Sequence, residues 1–359
     1  MGCRSEWVTI WASLLWLAHV QVQATATNLD AIPIVNARAI AMALIAGRQP
    51  ESIQDRPHAP DRPPMPIPSP AAISPPWTIR VEVPLVQLLI SVRDRSGAAV
   101  TGLKVEDFQV FENNRLQPIV AFESEVTPLH LVVLVDCSGS TRHGRQALLN
   151  ATRRLLEALS PGHHVALYAL AESQLVMLHR TSLDRQLIAQ ALERLPEPGG
   201  GTPLYDAIVL TYAQESPWLK LHRSALIVLT DGVDDRIRGG IRPSETEPRL
   251  LVRLARQYAA VVYVLQINPF TLVPEPAWMT RARRALEKVA VATGGQLFRA
   301  ESWDVIERLY PELNRELAAL YTIAYRPSIP LGDGRWRQIR VRINRPGLIV
   351  RHRAGYYAW

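Results

Sequence analysis

Short apolar runs and longer segments with a helical period alternate through the middle of the chain, between about residues 127 and 320. The apolar runs have the length of buried strands and are bounded by turn residues. We predict strands at 129–135, 164–170, 174–179, from 224 up to the Asp231-Gly232 pair, at 260–267 and at 296–299, and helices at 144–159, 183–195, 204–213, 248–259, 280–292 and 303–320. This alternation indicates an α/β fold with a doubly wound, mostly parallel sheet and helices on both faces.

The segments on either side of this region have a different pattern, in which apolar and polar residues alternate with a period of two. The clearest strand before the region has Val86, Leu88, Ile90 and Val92 on one face, and residues 336–343 form the clearest strand after it. Further short strands are predicted at 81–83, 322–325 and 348–351.

Neither flank has enough strands to form a stable sheet pair alone, since each offers about three or four with edges that must be covered. We therefore expect one small β-sandwich built from both flanks, residues 78–126 and 321–359. The α/β domain, residues 127–320, would then be inserted between the two parts of the sandwich.

The first 26 residues have the pattern of a secretory signal peptide. Arg4 precedes an apolar core at 8–20, and small residues at 22–26 offer cleavage points. This core is shorter than the roughly 18 residues that a membrane-spanning helix needs. We expect a cleaved signal and a secreted, periplasmic or cell-envelope protein without membrane insertion. The alternative is a protein anchored by the uncleaved N-terminal segment.

Residues 27–77 are predicted to be a flexible, proline-rich segment. Prolines cluster between 49 and 77, and this composition favours an extended spacer over a helix or a central strand. Residues 28–47 are mildly apolar and compatible with one short helix, but the sequence does not indicate its role.

The composition is that of a mostly globular chain, since hydrophobic residues make up 48% and charged residues 20%. The formal net charge is +7, and all but three of the 40 basic residues are arginine. An arginine excess can indicate nucleic-acid binding. The arginines are scattered, however, and no run of five basic residues occurs. A GC-rich genome explains them better, so no nucleic-acid partner is expected.

The two cysteines exclude an internal disulfide in the mature chain. Cys3 lies within the predicted signal peptide, which leaves Cys137 alone. No Cys or His stands at a ligand spacing from Cys137, so a zinc or nucleophile role is disfavoured. An exported chain of this size can rest on its hydrophobic core.

Oxygen-bearing side chains follow two of the predicted buried strands and one glycine-rich loop. Asp136, Ser138 and Ser140 come directly after the strand at 129–135, where a carboxylate and two hydroxyls can point at one spot. Thr202 follows three glycines just before a helix, and Asp231 ends the strand that begins at 224. Oxygen ligands suit a hard cation such as Mg²⁺ or Mn²⁺. Ligand sites in such sheets lie at the carboxyl ends of strands, where both aspartates stand.

These elements, in this order and spacing, resemble a von Willebrand factor A domain over about residues 127–320. The metal-ion-dependent adhesion site of that domain is D-x-S-x-S, then Thr, then Asp. The flanks at 105–115, 324–327 and 353–357 are similar to the bacterial "VWFA-related" family found in Acidobacteria, which has no established biochemical role.

The resemblance implies a Rossmann-like fold and a metal site made of five residues. Ser138 and Ser140 would be direct ligands, and Asp136 and Asp231 would bind directly or orient metal-bound water. Thr202 would engage when a partner is bound, and a Glu or Asp carboxylate of that partner would fill the open position.

We therefore expect an exported, divalent-cation-dependent protein-binding module of the adhesion type, with Mg²⁺, or else Mn²⁺ or Ca²⁺, as cofactor. The first alternative is a structural component of a cell-envelope assembly whose metal serves folding. A metal-dependent hydrolase is less favoured, because the sequence has no paired general acid and base, no G-x-S-x-G and no H-E-x-x-H. We expect no enzymatic activity, and the oligomeric state is not indicated.

Two further groups of residues have more than one interpretation. Asp234 and Asp235 are interpreted as solvated loop residues, with a second cation site as the alternative. Trp303, Trp336, Trp359, Tyr356 and Tyr357 are interpreted as packing residues, with a sugar-binding platform as the alternative.

Overall fold

The computed structural model describes residues 30–47, 85–124, 128–268 and 274–359. The predicted signal peptide, the proline-rich stretch at 49–77 and the strand predicted at 81–83 lie outside these residues. Within the described ranges, no helix is both long and apolar enough to cross a membrane.

The described strands and helices are numbered here in chain order. The strands are β1 (Asp30–Pro33), β2 (Val86–Arg93), β3 (Phe108–Glu112), β4 (Arg115–Gln117), β5 (Ile119–Glu123), β6 (His130–Asp136), β7 (His164–Ala171), β8 (Gln174–Ser182), β9 (Ser224–Thr230), β10 (Ala260–Ile267), β11 (Leu297–Ala300), β12 (Tyr321–Tyr325), β13 (Trp336–Ile343), β14 (Ile349–Arg351) and β15 (Gly355–Tyr357). The α-helices are α1 (Ala37–Ile45), α2 (Arg145–Ala158), α3 (Arg185–Leu192), α4 (Leu204–Leu221), α5 (Asp235–Arg238), α6 (Pro248–Ala255), α7 (Ala277–Thr293) and α8 (Tyr310–Ala318). Short 3₁₀ turns cover Val105–Asp107, Gly139–Gly144 and Ile306–Leu309.

Seven strands form a central sheet in the order β1-β8-β7-β6-β9-β10-β11. Five neighbouring strands, β7, β6, β9, β10 and β11, run parallel to one another. At one edge of the sheet, β8 pairs antiparallel with β7, and β1 pairs antiparallel with β8. β6 and β9 are buried along their whole length because helices cover both faces of the sheet. One apolar cluster joins the sheet to α2, α3 and α8, and a second joins it to α1, α4, α6 and α7.

Residues 30–47 are part of this α/β layer, although the sequence grouped them with the proline-rich segment. β1 pairs with β8 at the edge of the sheet, and α1 is the short helix compatible with this stretch. Ala37, Ala41, Leu44 and Ile45 are buried in the same apolar cluster as α4 and α6. The strand was not predicted because four residues are too few to display a period of two.

Two four-stranded antiparallel sheets, β14-β2-β12-β5 and β15-β13-β3-β4, make up the rest of the described chain. Each sheet combines strands from before and after the α/β layer, and one apolar cluster that includes Leu88, Ile90, Tyr321 and Val341 joins them. The predicted fold class, a doubly wound sheet with a small β-sandwich, is confirmed. β15, which pairs with β13, was not anticipated.

Two helices differ from their predicted limits for reasons that involve proline. α4 continues past the predicted end at residue 213 to Leu221, with Pro217 inside it. A proline removes one helical hydrogen bond, but packing of the buried face sustains this helix. The last helix, predicted at 303–320, is a 3₁₀ turn followed by α8, whose first turn contains Pro311, a position that proline favours.

A buried polar contact joins α8 to the sandwich. Arg93 of β2 forms ion pairs with Glu316 and, at 3.4 Å, with Glu312, and the Ser91 hydroxyl donates to Glu316 at 3.3 Å. Arg93 and Glu316 are both buried, so this ion pair lies inside the junction between the sandwich and the α/β layer.

Candidate metal centre

The first predicted ligand, Asp136, is the last residue of β6 and is fully buried. Its Oδ1 accepts a hydrogen bond from the Ser138 N–H at 3.1 Å, which turns the chain out of the strand. Its Oδ2 accepts a hydrogen bond from the Thr230 hydroxyl at 2.6 Å. The carboxylate is therefore held in one orientation by the neighbouring strand β9.

Ser138 and Ser140 stand side by side after this turn, with their hydroxyl oxygens 3.1 Å apart. The Thr141 hydroxyl donates to the Ser138 carbonyl at 2.9 Å and helps to hold the 3₁₀ turn that carries both serines. Ser138 is buried whereas Ser140 is exposed, so the pair leads from the interior to solvent. An ion at the two hydroxyls could therefore be reached from outside.

Asp231 follows the last residue of β9, and its electrostatic effect reaches Asp136. Burial, and then the charge of Asp231, raise the pKa of Asp136 to about 7. Burial also raises the pKa of Asp231, against the opposing effect of a hydrogen bond from Ser140. Among the described residues, none donates a hydrogen bond to Asp231 Oδ1, although this atom is buried. Such a pair of carboxylates is stabilised either by a proton or by a cation.

Thr202 reaches this region through backbone hydrogen bonds between two loops. The Gly199 N–H donates to the Cys137 carbonyl at 3.1 Å, and the Gly139 N–H donates to the Gly200 carbonyl at 3.3 Å. Thr202 is buried, and within the described residues its hydroxyl forms no hydrogen bond with the other four predicted ligands. The loop that carries Thr202 is thus hydrogen-bonded to the serine turn, while the Thr202 hydroxyl forms no hydrogen bond to the other four residues.

The three glycines before Thr202 permit close approach more than flexibility. Gly200 has a φ of +69°, and a Cβ there would lie 2.7 Å from backbone atoms of Glu172. A Cβ at Gly199 would overlap the Glu172 carboxylate, and one at Gly201 would lie 2.5 Å from Asp235 Oδ2. Only Gly200 of the three needs the left-handed region. Close packing against Glu172 and Asp235 therefore accounts for glycine at all three positions.

Sequence analysis missed one residue of the site and misjudged two others. Thr230 orients Asp136, and its only sequence signal was its place at a strand end directly before Asp231. Asp234 and Asp235, interpreted as solvated, are both buried. Their carboxylates accept hydrogen bonds from backbone N–H groups, including that of Arg236 at 2.8 Å and that of Arg242 at 2.9 Å. They stabilise the loop instead of facing water.

Cys137 lies between the ligand positions but has no exposed thiol. Its side chain is buried, and burial together with the charge of Asp136 raises the pKa of the thiol. The thiol is therefore protonated at neutral pH, which fits a packing residue.

Several of the aromatic residues left open by the sequence pack inside the fold. The Trp336 and Tyr357 rings are 5.1 Å apart, the Arg253 guanidinium lies 4.3 Å from the Tyr357 ring centre, and the Tyr356 hydroxyl donates to Glu112 at 2.8 Å. Trp303 packs against the apolar cluster around α2.

The donor set fits a hard divalent cation. It offers two carboxylates and three hydroxyl oxygens, and one carboxylate oxygen is buried without a partner among the described residues. Within those residues, no group of three or more His, Cys, Asp or Glu side chains is placed to hold a metal. A cation at this centre would thus depend on the hydroxyls as well as on the two carboxylates.

Comparisons with known proteins identify the segment that contains this centre. Residues 131–233 match the family model described as von Willebrand factor type A domain. No curated protein matches the chain.

Solved structures with similarity to the chain include three bacterial proteins. A von Willebrand factor type A protein from Catenulispora acidiphila is 14% identical over 79% of this chain and 75% of that chain, with a TM-score of 0.41. The von Willebrand domain of the type V pili tip protein Mfa5 from Porphyromonas gingivalis is 11% identical over 53% and 95%, with a TM-score of 0.40. The pilus adhesin SpaC from Lactobacillus rhamnosus GG is 12% identical over 74% and 47%, with a TM-score of 0.41.

The family match covers all five predicted ligand positions and agrees with the resemblance inferred from their spacing. Residues 131–233 of this chain are therefore assigned to the von Willebrand factor type A domain family.

Proposed function

We propose that this protein is an exported, divalent-cation-dependent binding module of the adhesion type, which recognises a Glu or Asp carboxylate on a protein partner. Asp136, Ser138, Ser140, Thr202 and Asp231 would hold Mg²⁺, or else Mn²⁺ or Ca²⁺. The observation that carries the proposal is the buried pair Asp136 and Asp231, with Asp231 Oδ1 lacking a partner among the described residues beside two adjacent hydroxyls.

The charge of the site explains why a partner would bind through a carboxylate. A divalent cation with no more than two carboxylate ligands keeps some positive charge when a position remains open. The exposed side of Ser140 leaves such a position accessible. A carboxylate of the partner would then complete the coordination, so binding would require the cation.

Export is part of the proposal and rests on residues 1–26 alone. A positive residue, an apolar core and small residues before the cleavage point are typical of secretory signals. The N-terminal sequence of the protein recovered from its native host tests this part: a chain that still begins at Met1 would support the anchored alternative.

The experiment for the metal is calorimetric titration of Mg²⁺, Mn²⁺ and Ca²⁺ into the metal-stripped protein. We expect binding by the native chain, strong loss in Asp231→Asn, and no change in Asp304→Asn, an exposed aspartate in another loop. Equal binding by all three proteins would contradict the proposed site.

The melting temperature, measured together with partner capture, distinguishes a metal that serves partner binding from a metal that serves folding. Loss of chelator-sensitive partner capture in Asp231→Asn with an unchanged melting temperature supports the binding module. A large fall in melting temperature on chelation of the native protein, with partner capture unaffected by the chelator, would support the structural alternative.

A further inference from the structure

The loop after α5, residues 239–246, is held rigidly beside the candidate metal centre; we call it the rim loop. Asp234 accepts a hydrogen bond from the Ser244 hydroxyl at 2.6 Å. Asp206 accepts hydrogen bonds from the N–H groups of Glu245 and Thr246 at 2.7 and 2.8 Å. With the bond from Arg242 N–H to Asp235, three buried carboxylates fix this exposed loop at several points. Its conformation is therefore set before any partner arrives.

The rim loop lies directly against the loop that carries Thr202. A Cβ placed on Gly201 would lie 2.6 Å from the Cβ of Arg242, and the Asp235 N–H donates to the Thr202 carbonyl at 3.0 Å. Ile241, the residue before Arg242, is 85% exposed. An apolar side chain and a guanidinium thus stand at the edge of the site on a stiff support.

Two more arginines belong to elements next to the candidate metal centre. Arg142 lies two residues after Ser140 in the same 3₁₀ turn. Arg238 ends α5, and its guanidinium lies 5.5 Å from the Trp278 ring centre. Although burial dominates the pKa of Asp231 and raises it, the charge of Arg238 acts in the opposite direction, so this guanidinium is within electrostatic range of the carboxylate.

These three arginines are exposed and available to a partner. Within the described chain, Arg142, Arg238 and Arg242 form no ion pair, whereas Arg236 pairs with Glu247 at 3.6 Å. The nearest exposed acid on the opposite loop is Glu172, beside Gly199. The rim loop also carries the exposed Glu245. Once a cation compensates Asp136 and Asp231, the three arginines exceed the two exposed acids, Glu172 and Glu245, so the net charge around the opening is positive. Guanidinium groups bind carboxylates through two parallel hydrogen bonds, which favours additional acidic groups on the partner.

We call Arg142, Arg238, Arg242 and Ile241 together the rim, and from this arrangement we infer that the rim selects the partner. The partner is an acidic polypeptide segment that offers one carboxylate to the cation and at least one more to an arginine of the rim. It also offers an apolar side chain to Ile241. The inference rests on the proposed function and adds the chemistry of the partner around the metal-bound residue. The exposed Ile241 favours a polypeptide over a nucleic acid or an anionic polysaccharide, because these offer no apolar side chain.

The test measures fluorescence anisotropy of two labelled synthetic heptapeptides with the full chain in Mg²⁺. One peptide has a single glutamate among glycines, and the other has glutamates on both sides of a central leucine. We expect the acid-rich peptide to bind at least about fivefold more tightly than the single-glutamate peptide, and chelator to abolish the binding of both.

Variants test whether the tighter binding of the acid-rich peptide depends on the arginines and on Ile241. The double variant Arg142→Gln/Arg242→Gln retains, at position 242, the main-chain N–H that donates a hydrogen bond to Asp235. We expect it to lose about fivefold in affinity for the acid-rich peptide and little for the other. The control, Arg326→Gln/Arg340→Gln, changes two exposed arginines of the sandwich and leaves both affinities unchanged. Ile241→Ser weakens only the peptide that contains leucine.

The outcomes separate this inference from the proposed function. Chelator-sensitive binding of both peptides with equal affinity, unaffected by the arginine variants, would overturn the rim inference and leave the metal site intact. Absent or chelator-insensitive binding would overturn both. Single-stranded DNA that binds as tightly as the acid-rich peptide, through the same arginines, would overturn the choice of a polypeptide partner.

Discussion

Asp136 and Asp231 would couple the protonation of the site to binding of the proposed cation. Burial and the charge of Asp231 raise the pKa of Asp136 to about 7, whereas an aspartate in the unfolded chain has a pKa of about 3.9. Between these values the folded state binds more protons than the unfolded state. The stability of the metal-stripped protein therefore falls as the pH rises from about 4 to about 7.

The first prediction concerns this competition between protons and the cation. We expect the difference in melting temperature between Mg²⁺-loaded and metal-stripped protein to increase from pH 5 to pH 8, because protons no longer compete for the carboxylates. Asp231→Asn, which lacks one of the two charges, should show little of this increase. A difference that is the same at both pH values would contradict the coupling.

The second prediction concerns Thr230, whose hydroxyl donates to Asp136 at 2.6 Å. Thr230→Val removes this donor from a buried carboxylate without much change in shape. We expect weaker Mg²⁺ binding by calorimetry and a loss of about 1–3 kcal/mol in the free energy of unfolding. Thr230→Ser keeps the hydroxyl and should retain most of the cation affinity; an equal loss in both variants would assign the effect to packing.

The five residues could be proposed as ligands from the sequence because oxygen-bearing side chains at strand ends and before a helix form short local patterns. Thr230 could not be recognised in the same way, since its role depends on β9 pairing with β6 and thus on residues far apart in the chain. The burial of Asp234 and Asp235 was missed for a related reason. Their hydrogen-bonding partners include Tyr205 and Ser244, which only the folded loops bring together.

At the scale of elements, the glycine loop is shaped by what packs against it. Gly200 and Gly162 both have positive φ, +69° and +95°, but only Gly200 would place a Cβ against neighbouring backbone. The third prediction compares Gly200→Ala with Gly162→Ala. Gly162→Ala should cost about 1–2 kcal/mol from its backbone conformation alone.

Gly200→Ala should cost more than Gly162→Ala and should also weaken Mg²⁺ binding, because the loop must move away from Glu172. Denaturant unfolding and calorimetric titration measure the two effects. Equal stability of the two variants, with unchanged cation affinity, would mean that the loop adapts freely.

The fourth prediction tests the role of α1, which the sequence could not assign. Leu44 is buried against α4 and α6, whereas Met42 on the same helix is 50% exposed. We expect Leu44→Ala to lower the free energy of unfolding by about 2–4 kcal/mol and Met42→Ala by about 0.5 kcal/mol or less. A small effect at Leu44 would show that α1 contributes little to the core.

At the scale of the whole molecule, Arg93 and Glu316 link the sandwich to the α/β layer. The fifth prediction is that Arg93→Met lowers the free energy of unfolding by about 3–5 kcal/mol, because the Glu316 carboxylate remains buried without the guanidinium that pairs with it. Arg153→Met removes a partner of exposed Glu193 and should change stability by about 1 kcal/mol or less. Recovery of stability in Arg93→Met/Glu316→Leu would confirm that the uncompensated charge causes the loss.

The sandwich was the part of the architecture that could be predicted most directly from the sequence. The period of two along β13 identified its buried face, and that along β2 identified the face that packs inside the sandwich, although the opposite face of β2, with Leu89, Ser91 and Arg93, is buried as well. The shortage of strands in each flank required that the flanks combine. Which strands pair was not readable from this pattern. The pairing of β5 with β12 joins residues that are far apart in the sequence, and β15 is a strand only because it pairs with β13.

The pairing of β5 with β12 has a mechanical consequence. After a first passage through the α/β layer at residues 30–47, the chain enters that layer again after β5 and leaves it before β12, and these two strands are hydrogen-bonded neighbours. β2 and β14, which lie nearer the two ends of the described sandwich, pair with each other as well. A pull between β2 and β14 is therefore carried by the hydrogen bonds that these two strands share, whereas a pull on the chain before residue 30 acts first on β1, which pairs with β8 in the central sheet. A load applied at Asp136 would act on the central sheet, in which β6 is a middle strand. A pull that enters through β1 therefore reaches β6, the strand that ends at Asp136, through only two intervening strands, β8 and β7.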